Sequence, residues 1–191
     1  MSTSWRLDLP EGWVAWQPGS PDIAAIQAAA TTGRRAARTL ARRVAVAEKE
    51  APLLPGQVHQ IGVRVADPGS GQVSASMFLT QWARPTQDGK QLNARRHLTA
   101  VEERGADPSR SYQYREASIE QVPAGQLVLR NEVWRPRRRL GWHVTLETTI
   151  FPRETDVMFE LTVNSRYGEL QPELMAEISL MAHSFRLDAP T

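Results

Sequence analysis

The segment VMFELTV, residues 157–163, decides how the second half of this chain folds. Valine, phenylalanine, leucine and valine occupy every second position, and methionine, glutamate and threonine lie between them. This period of two is typical of a β-strand with one buried face. Three earlier segments, residues 112–122, 126–134 and 140–151, also resemble strands, and only short links separate them. We therefore predict an antiparallel meander with one face buried.

The first half of the chain contributes further strands. Trp5, Leu7 and Leu9 fall on one face of a predicted N-terminal strand. Residues 61–65 and 73–82 alternate on either side of a glycine-containing turn at residues 67–71. This pattern predicts a hairpin.

Three segments have helical periodicity. Residues 20–22, Ser-Pro-Asp, favour a helix start, and the helix that follows is expected to bend or break at residues 31–33. Its apolar stripe is Ile23, Ile26, Ala30, Ala37, Leu40, Val44 and Ala47. Residues 90–104 favour a second helix, and a C-terminal helix is expected from about Pro172. Its core stripe is Leu170, Leu174, Ile178, Met181 and Phe185.

The order of elements is typical of an α+β fold. We predict a single α+β domain over residues 1–191, because 191 residues is an ordinary length for one domain. It should contain a single antiparallel β-sheet of six or seven strands, flanked by an N-terminal and a C-terminal helix. We expect both of these helices to cover the apolar side of the sheet.

The composition excludes several kinds of chemistry. The chain has no cysteine, which excludes disulfides, thiolate nucleophiles and zinc ribbons. The histidines at positions 59, 97, 143 and 183 follow no metal-ligand spacing, and no nucleophile elbow or phosphate-binding loop motif occurs. We therefore expect a non-enzymatic protein without a metal or cofactor. With no secretory signal and no apolar run of ~18 residues, we expect no membrane span and a cytoplasmic location.

The candidate binding residues are two clusters of arginines, one on the first helix and one within WRPRRRLGW, residues 134–142. They are Arg34, Arg35, Arg38, Arg42, Arg43, Arg135, Arg137, Arg138 and Arg139. If both clusters face the same way, they form a basic patch suited to nucleic acid, acidic lipid headgroups or an acidic protein. The alternative is a solvated helix face and a charged hairpin tip, with Pro136 in the connection. In that case Trp134 and Trp142 would pack against each other across the two strands.

Two short motifs carry a family resemblance. LDLPEGW, residues 7–13, has the form of a strand followed by P-x-G-W, and residues 178–186 form an amphipathic segment ending in Ser-Phe-Arg. This pair resembles the PsbP-like superfamily, which includes photosystem-associated PsbP, the Ran-binding Mog proteins and the LpqN lipoproteins. The resemblance implies an antiparallel sheet flanked by helices and a binding or assembly role without catalysis.

Three functions follow as hypotheses. The preferred one is an accessory or assembly factor that binds another protein through the Arg34–Arg43 helix face and the hairpin at residues 135–139. The second is a nucleic-acid-binding module that uses its basic patch, with affinity that falls steeply as salt rises. The third is a small-molecule binder or enzyme with a pocket between sheet and helices.

Overall fold

The computed structural model describes residues 5–87, 89–137 and 140–187. The strands are β1 (Trp5–Arg6), β2 (Trp13–Trp16), β3 (Gln57–Asp67), β4 (Gln72–Ala83), β5 (Thr86–Gln87), β6 (Lys90–Gln91), β7 (Arg110–Val122), β8 (Gly125–Pro136), β9 (His143–Pro152), β10 (Val157–Ser165) and β11 (Arg186–Leu187). The helices are α1 (Ile23–Ala30), α2 (Arg34–Glu50), α3 (Ala94–Glu103) and α4 (Gln171–Ser184).

Seven strands form one sheet in the order β2-β3-β4-β10-β9-β8-β7, and every neighbouring pair is antiparallel. The predicted hairpin is β3–β4, and the predicted meander is β7 to β10. β10, which contains VMFELTV, is the central strand, because β4 closes against its other edge and joins the two halves of the chain. The predicted α+β fold with one antiparallel sheet is confirmed.

The helices lie on both faces of the sheet, and the prediction that the first and last helices share one face is wrong. α4 covers one face, where it packs on the inward residues of β4 and of β8 to β10. α1 and α2 cover the other face, over β3 and β4. β3 and β4 carry buried apolar residues on both faces of the sheet. The prediction of one buried face, made for the meander of β7 to β10, therefore does not apply to these two strands.

The face under α4 is closed and mostly apolar. Phe159, Leu161 and Val163 of β10 have no exposed surface, and Ile178 and Met181 of α4 are buried against the same cluster. These strand positions alternate with the polar ones seen in the sequence, so the period of two selects which side of β10 faces α4. The alternation thus fixes the register of the central strand.

The opposite face is covered only at its two ends. At one end Leu40 and Val44 of α2 are buried against Ile61 and Phe78. At the other end α3 packs through Ala94 on a small cluster formed by β8, β9 and β10. The middle of this face, formed by β9 and β10, lies between the two helices and carries polar side chains.

The helix starts follow local chemistry. The Asp22 carboxylate caps α1 by accepting the Ala25 N–H at 3.0 Å, and Asn93 caps α3 in the same way. The predicted break at residues 31–33 is confirmed: α1 ends at Ala30, and Gly33 has a φ of 93°, which glycine adopts without strain. The predicted helix at residues 90–104 is shorter, because residues 90 and 91 pair as β6.

Gly71, in the β3–β4 turn, lets α2 approach the sheet. Its φ is 66°, and a Cβ added there would lie 2.1 Å from the carbonyl oxygen of Ala36 in α2. Thr32 N–H also donates to the carbonyl of Pro68 in the same turn, at 2.8 Å. The turn thus fixes the position of the N-terminal end of α2.

The two chain ends meet beside α4. β1 pairs with β11, and the backbone N–H of Asp8 donates to the Ser184 hydroxyl at 2.9 Å. Phe185 is fully buried and stacks on Trp5. The residues that carry the family resemblance are therefore in contact, although the predicted strand at residues 5–9 is only two residues long.

The edge strand β2 contacts both helical layers. Trp13 and Trp16 are three residues apart and lie on opposite faces of the sheet. Trp13 Nε1 donates to Glu177 of α4 at 2.7 Å, and Trp16 Nε1 donates to Glu48 of α2 at 2.6 Å. One short strand is thus bonded to a helix on each side.

The prediction for WRPRRRLGW is partly wrong. Trp134 pairs with His143 in register and stacks on its ring at a centroid distance of 4.7 Å, so the expected Trp134–Trp142 pair does not form. Trp142 packs against the core beneath α4, on the other face of the sheet. Pro136 is the last residue of β8 and pairs with Arg110 of the edge strand β7, rather than lying in the connection.

Candidate ligand-binding cleft

The first predicted arginine cluster lies on α2 and points away from the sheet. Arg34, Arg35, Arg38, Arg42 and Arg43 are all exposed. Leu40, Val44 and Ala47 occupy the buried side of the helix, which leaves the arginines in water, as the periodicity predicts. Arg43 differs from the other four because its side chain also lines a cavity.

The second cluster is only partly described. Arg135 and Arg137 are exposed, and Arg138 and Arg139 lie outside the described residues. The guanidinium of Arg135 lies 5.0 Å from the centre of the Trp142 ring, on the α4 side of the sheet. Arg135 therefore does not join the α2 arginines in a single basic patch.

The cavity that Arg43 lines is a cleft of about 330 Å³ between α2 and the centre of the sheet. One wall is apolar and is formed by Val46, Ala47, Val63, Val73 and Phe78. The floor is polar and includes Ser74, Ser76, Thr145 and Asn164. A site with one apolar wall and several hydrogen-bonding groups suits an amphipathic molecule.

A stack of planar side chains lies at the β8–β9 end of the cleft. The Arg110 guanidinium lies 3.9 Å from the centre of the Trp134 ring, and the His143 ring stacks on the same indole. Trp134 Nε1 donates to the Thr145 hydroxyl at 3.1 Å, and that hydroxyl donates to Asn164 Oδ1 at 3.2 Å. These bonds hold the floor in one arrangement and leave the Asn164 amino group available as a donor.

Two arginine side chains line the cleft. Arg43 comes from α2, and Arg166 follows β10. Among the residues that the structure describes, neither guanidinium has an ion pair or a hydrogen bond. Glu50 also lines the cleft, but it lies seven residues beyond Arg43 on α2, about 10 Å along the helix axis.

The loop that carries Arg166 is held firmly against β4. The buried Ser165 hydroxyl donates to the carbonyl of Ser74 at 2.7 Å and accepts the N–H of Tyr167 at 3.1 Å. The Tyr167 hydroxyl accepts from the Gln72 amide at 2.6 Å. Backbone on both sides of Arg166 is therefore fixed before any ligand arrives.

Beyond the cleft, the same face carries a network of paired charges. The fully buried Glu132 accepts from Arg115 at 3.1 Å and from Arg130 at 2.9–3.0 Å. Arg130 also donates to Glu147 at 2.8 Å. Burial works against the charge of Arg130, but Glu147 and Glu132 outweigh it and raise its pKa. Unlike the two cleft arginines, Arg115 and Arg130 are paired with carboxylates of the protein.

Glu160 lies next to this network without a cation of its own among the described residues. It projects from β10 on the open face, where it accepts from the Thr162 hydroxyl at 3.3 Å. Burial, and then the neighbouring charge of Glu147, raises the pKa of Glu160 to about 7. This carboxyl group therefore changes protonation near neutral pH.

The histidines do not assemble into a site. His97 of α3 contacts the Thr149 hydroxyl at 3.2 Å, and burial together with Arg104 and Arg130 lowers its pKa. His59 bonds to Gln81 beneath the α4 face, and His183 bonds to the Ser179 carbonyl within α4. In the described part of the chain, no three acidic or histidine side chains are grouped to hold a metal ion.

The sequence interpretation missed the cleft and the charge network. The available signal was the polar register of β9 and β10, in which Thr145, Glu147, Glu160, Thr162 and Asn164 recur at alternate positions. In an edge strand such residues face solvent. In the central strand of a seven-stranded sheet and its neighbour, they indicate a part of the sheet that no helix covers.

Comparison with known proteins adds a structural relative. No family model matches the chain, and no curated protein matches it. The fold is similar to the crystal structure of LpqN of Mycobacterium tuberculosis, a protein involved in cell envelope biogenesis. The similarity has a TM-score of 0.51 and 12% sequence identity, and covers 98% of this chain and 85% of LpqN. It supports an LpqN-like fold.

The sequence predicts no membrane-spanning segment. In the described ranges, no helix is both long and apolar enough to cross a membrane.

Proposed function

We propose that this chain is a non-enzymatic accessory protein whose working site is the cleft between α2 and the centre of the sheet. There it holds a small amphipathic molecule. The observation that carries the proposal is the cavity of about 330 Å³, with an apolar wall on one side and a polar floor on the other. This is the third of the three functions considered from the sequence, in its binding form.

The chemistry of the cleft favours binding over turnover. It offers hydroxyl and amide groups that are held by hydrogen bonds, an apolar wall that is held by helix packing, and two exposed guanidinium groups. A floor and wall that are already ordered lower the entropic cost of binding a ligand. The involvement of LpqN in cell envelope biogenesis fits an accessory role for this fold, at the level of analogy only.

The experiment is an NMR screen of a small-molecule library that includes neutral, anionic and cationic members. Hits should shift backbone amides of residues 43–47, 73–78 and 164–167 together, because these segments line the cleft. Val46→Trp places a large ring on the cleft wall and should abolish the hits. Val46 is 45% exposed, so the protein should remain folded.

The matched control is Leu180→Trp, which also replaces an exposed aliphatic residue on a helix, but on α4. It should leave every hit unchanged. Hits that persist in Val46→Trp, or a library with no hit in the cleft, would contradict the proposed function.

A further inference from the structure

The proposed function leaves the chemical class of the ligand open, and the charges of the cleft restrict it. The arginines of β7 and β8 on the cleft side of the sheet have carboxylate partners: Arg110 pairs with Asp107, Arg115 with Glu132, and Arg130 with Glu132 and Glu147. Arg43 and Arg166 line the same cavity without such a partner in the described part of the chain.

The two arginines come from separate parts of the fold. Arg43 is set by α2, whose buried side docks on β3 and β4, and Arg166 is set by the Ser165 and Tyr167 hydrogen bonds. Both side chains are exposed, but their backbones are anchored independently, so two cations on one concave surface create a positive potential there. Guanidinium groups in such a setting are suited to carboxylate and phosphate oxygens.

The rest of the cleft describes the body of the ligand. Val46, Val73 and Phe78 provide an apolar surface, and the ring of Tyr167 adds an aromatic one. On the floor, the Asn164 amino group can donate to an acceptor of the ligand. Glu50 at the far end of the α2 wall would repel a second anionic group placed there.

We propose that the cleft selects a compact organic anion, in which a single carboxylate or phosphate group is bound by Arg43 and Arg166 and a ring-bearing body packs on the valine and phenylalanine wall. This inference rests on the proposed function, since it names the class of ligand that the same cleft takes. Carboxylate and phosphate share the chemistry of an oxyanion, and the test separates them.

The test uses four probes that share a phenyl body: 3-phenylpropionate, 2-phenylethyl phosphate, 3-phenylpropan-1-ol and 3-phenylpropylamine. Dissociation constants are measured by NMR titration. We expect at least one anion to bind about tenfold more tightly than the alcohol, the gain typical of one charge-assisted hydrogen-bond pair. The amine should bind most weakly. The tighter of the two anions identifies the oxyanion that the cleft prefers.

Substitutions then assign the effect to the two arginines. Arg43→Gln and Arg166→Gln should each weaken anion binding severalfold, and the double variant should bind anions no better than the alcohol. Alcohol binding should not change in any of the three. Arg38→Gln is the matched control, because Arg38 is exposed on α2 and does not line the cavity.

Each remaining outcome contradicts a defined part of the argument. If the alcohol binds in the cleft as tightly as both anions, or if the double variant retains anion selectivity, the anion inference is wrong and the proposed function stands. If the amine binds most tightly, the inference is also wrong. If none of the four probes binds while other members of the library do, the inference is wrong about the ring-bearing body of the ligand. If nothing binds the cleft at all, both are wrong.

Discussion

The two faces of the central strands β9 and β10 differ in what covers them and in what they carry. Beneath α4, Leu146 and Leu161 are fully buried in a continuous apolar core. On the other face, Thr145, Glu147 and Thr162 lie in the opening between α2 and α3 and remain partly exposed. The same two strands therefore serve stability on one side and, as we propose, recognition on the other.

This difference indicates which surface of a sheet to examine when its sequence contains no functional motif. Polar and charged residues in central strands are unfavourable unless they are paired or reach water. Here Glu147 is paired with Arg130, and the floor of the cleft is hydrogen-bonded. An open face whose central polar and charged groups are mostly paired with one another is the most informative surface of this molecule.

The largest effect should come from the closed face. Leu161→Ala removes a fully buried side chain beneath α4 and should lower the free energy of unfolding by ~2–5 kcal/mol. Thr162→Ala, one residue away on the open face, should cost under ~1 kcal/mol. Urea denaturation of both variants measures the contrast, and equal losses would mean that the two faces do not differ as described.

The next effect tests how α2 is placed over the open face. Gly71→Ala puts a Cβ against the backbone of Ala36 and imposes a φ of 66° on alanine. We expect a loss of about 1–3 kcal/mol, from the strained backbone and the displaced helix. Ligand binding in the cleft should weaken as well, because Arg43 moves with α2. Gly19→Ala, where a Cβ meets nothing within 4 Å, controls for strain alone.

A pH titration sharpens the comparison at Glu160. Its pKa in the folded protein, about 7, exceeds the ordinary value of 4.5, so folding binds a proton more tightly. The resulting stability is complete below about pH 4.5 and is lost as the pH rises to about 7. The full difference corresponds to about 3 kcal/mol, and partial exposure reduces it to about 1–2 kcal/mol.

Glu160→Gln should remove this dependence and make the variant more stable than the parent at pH 8, as measured by urea denaturation at several pH values. His97, whose pKa is lowered, acts in the opposite direction and destabilises the fold as the pH falls below about 6.5. It is present in both proteins and cancels in the comparison. If the free energies of unfolding of parent and variant change in parallel with pH, the pKa of Glu160 is not raised by folding.

The smallest effect concerns the two arginine clusters. Arg135 lies on the face opposite to Arg43, so Arg135→Gln should leave stability within about 0.5 kcal/mol of the parent and cleft binding unchanged. The variant also tests the nucleic-acid hypothesis. If a labelled oligonucleotide binds at low salt, and Arg135→Gln and Arg38→Gln weaken it equally, the two clusters act as one surface after all.

The sequence predicted the parts of the fold that depend on local pattern. Alternation in VMFELTV predicted a strand and the residues that share its buried face, and residues 31–33 predicted the break between α1 and α2. Which face each helix covers was not predictable, because α2 and α4 both have one apolar side and nothing in their own residues names the partner face. The prediction that they share a face failed for that reason.

The candidate site was predicted only in part. Arg43 was selected because of its charge, but the features that matter, a cavity and the approach of Arg166 from a distant loop, depend on the tertiary structure. The charge of WRPRRRLGW drew attention to Arg135, which stacks on Trp142 away from the cleft. Several arginines in one segment are thus a weaker indication of a binding site than residues from several segments that line one cavity.

The short strand at residues 13–16 has a consequence for how the protein opens. Its two indole N–H groups donate to a glutamate in α4 and a glutamate in α2. If this edge strand unpairs from the sheet, both helices therefore lose a hydrogen bond at the same time. The slowly exchanging amides of α2 and α4 should therefore exchange faster together when the pairing of β2 with β3 is disturbed. A molecule that captured this edge would loosen the wall of the cleft and the opposite core in one step.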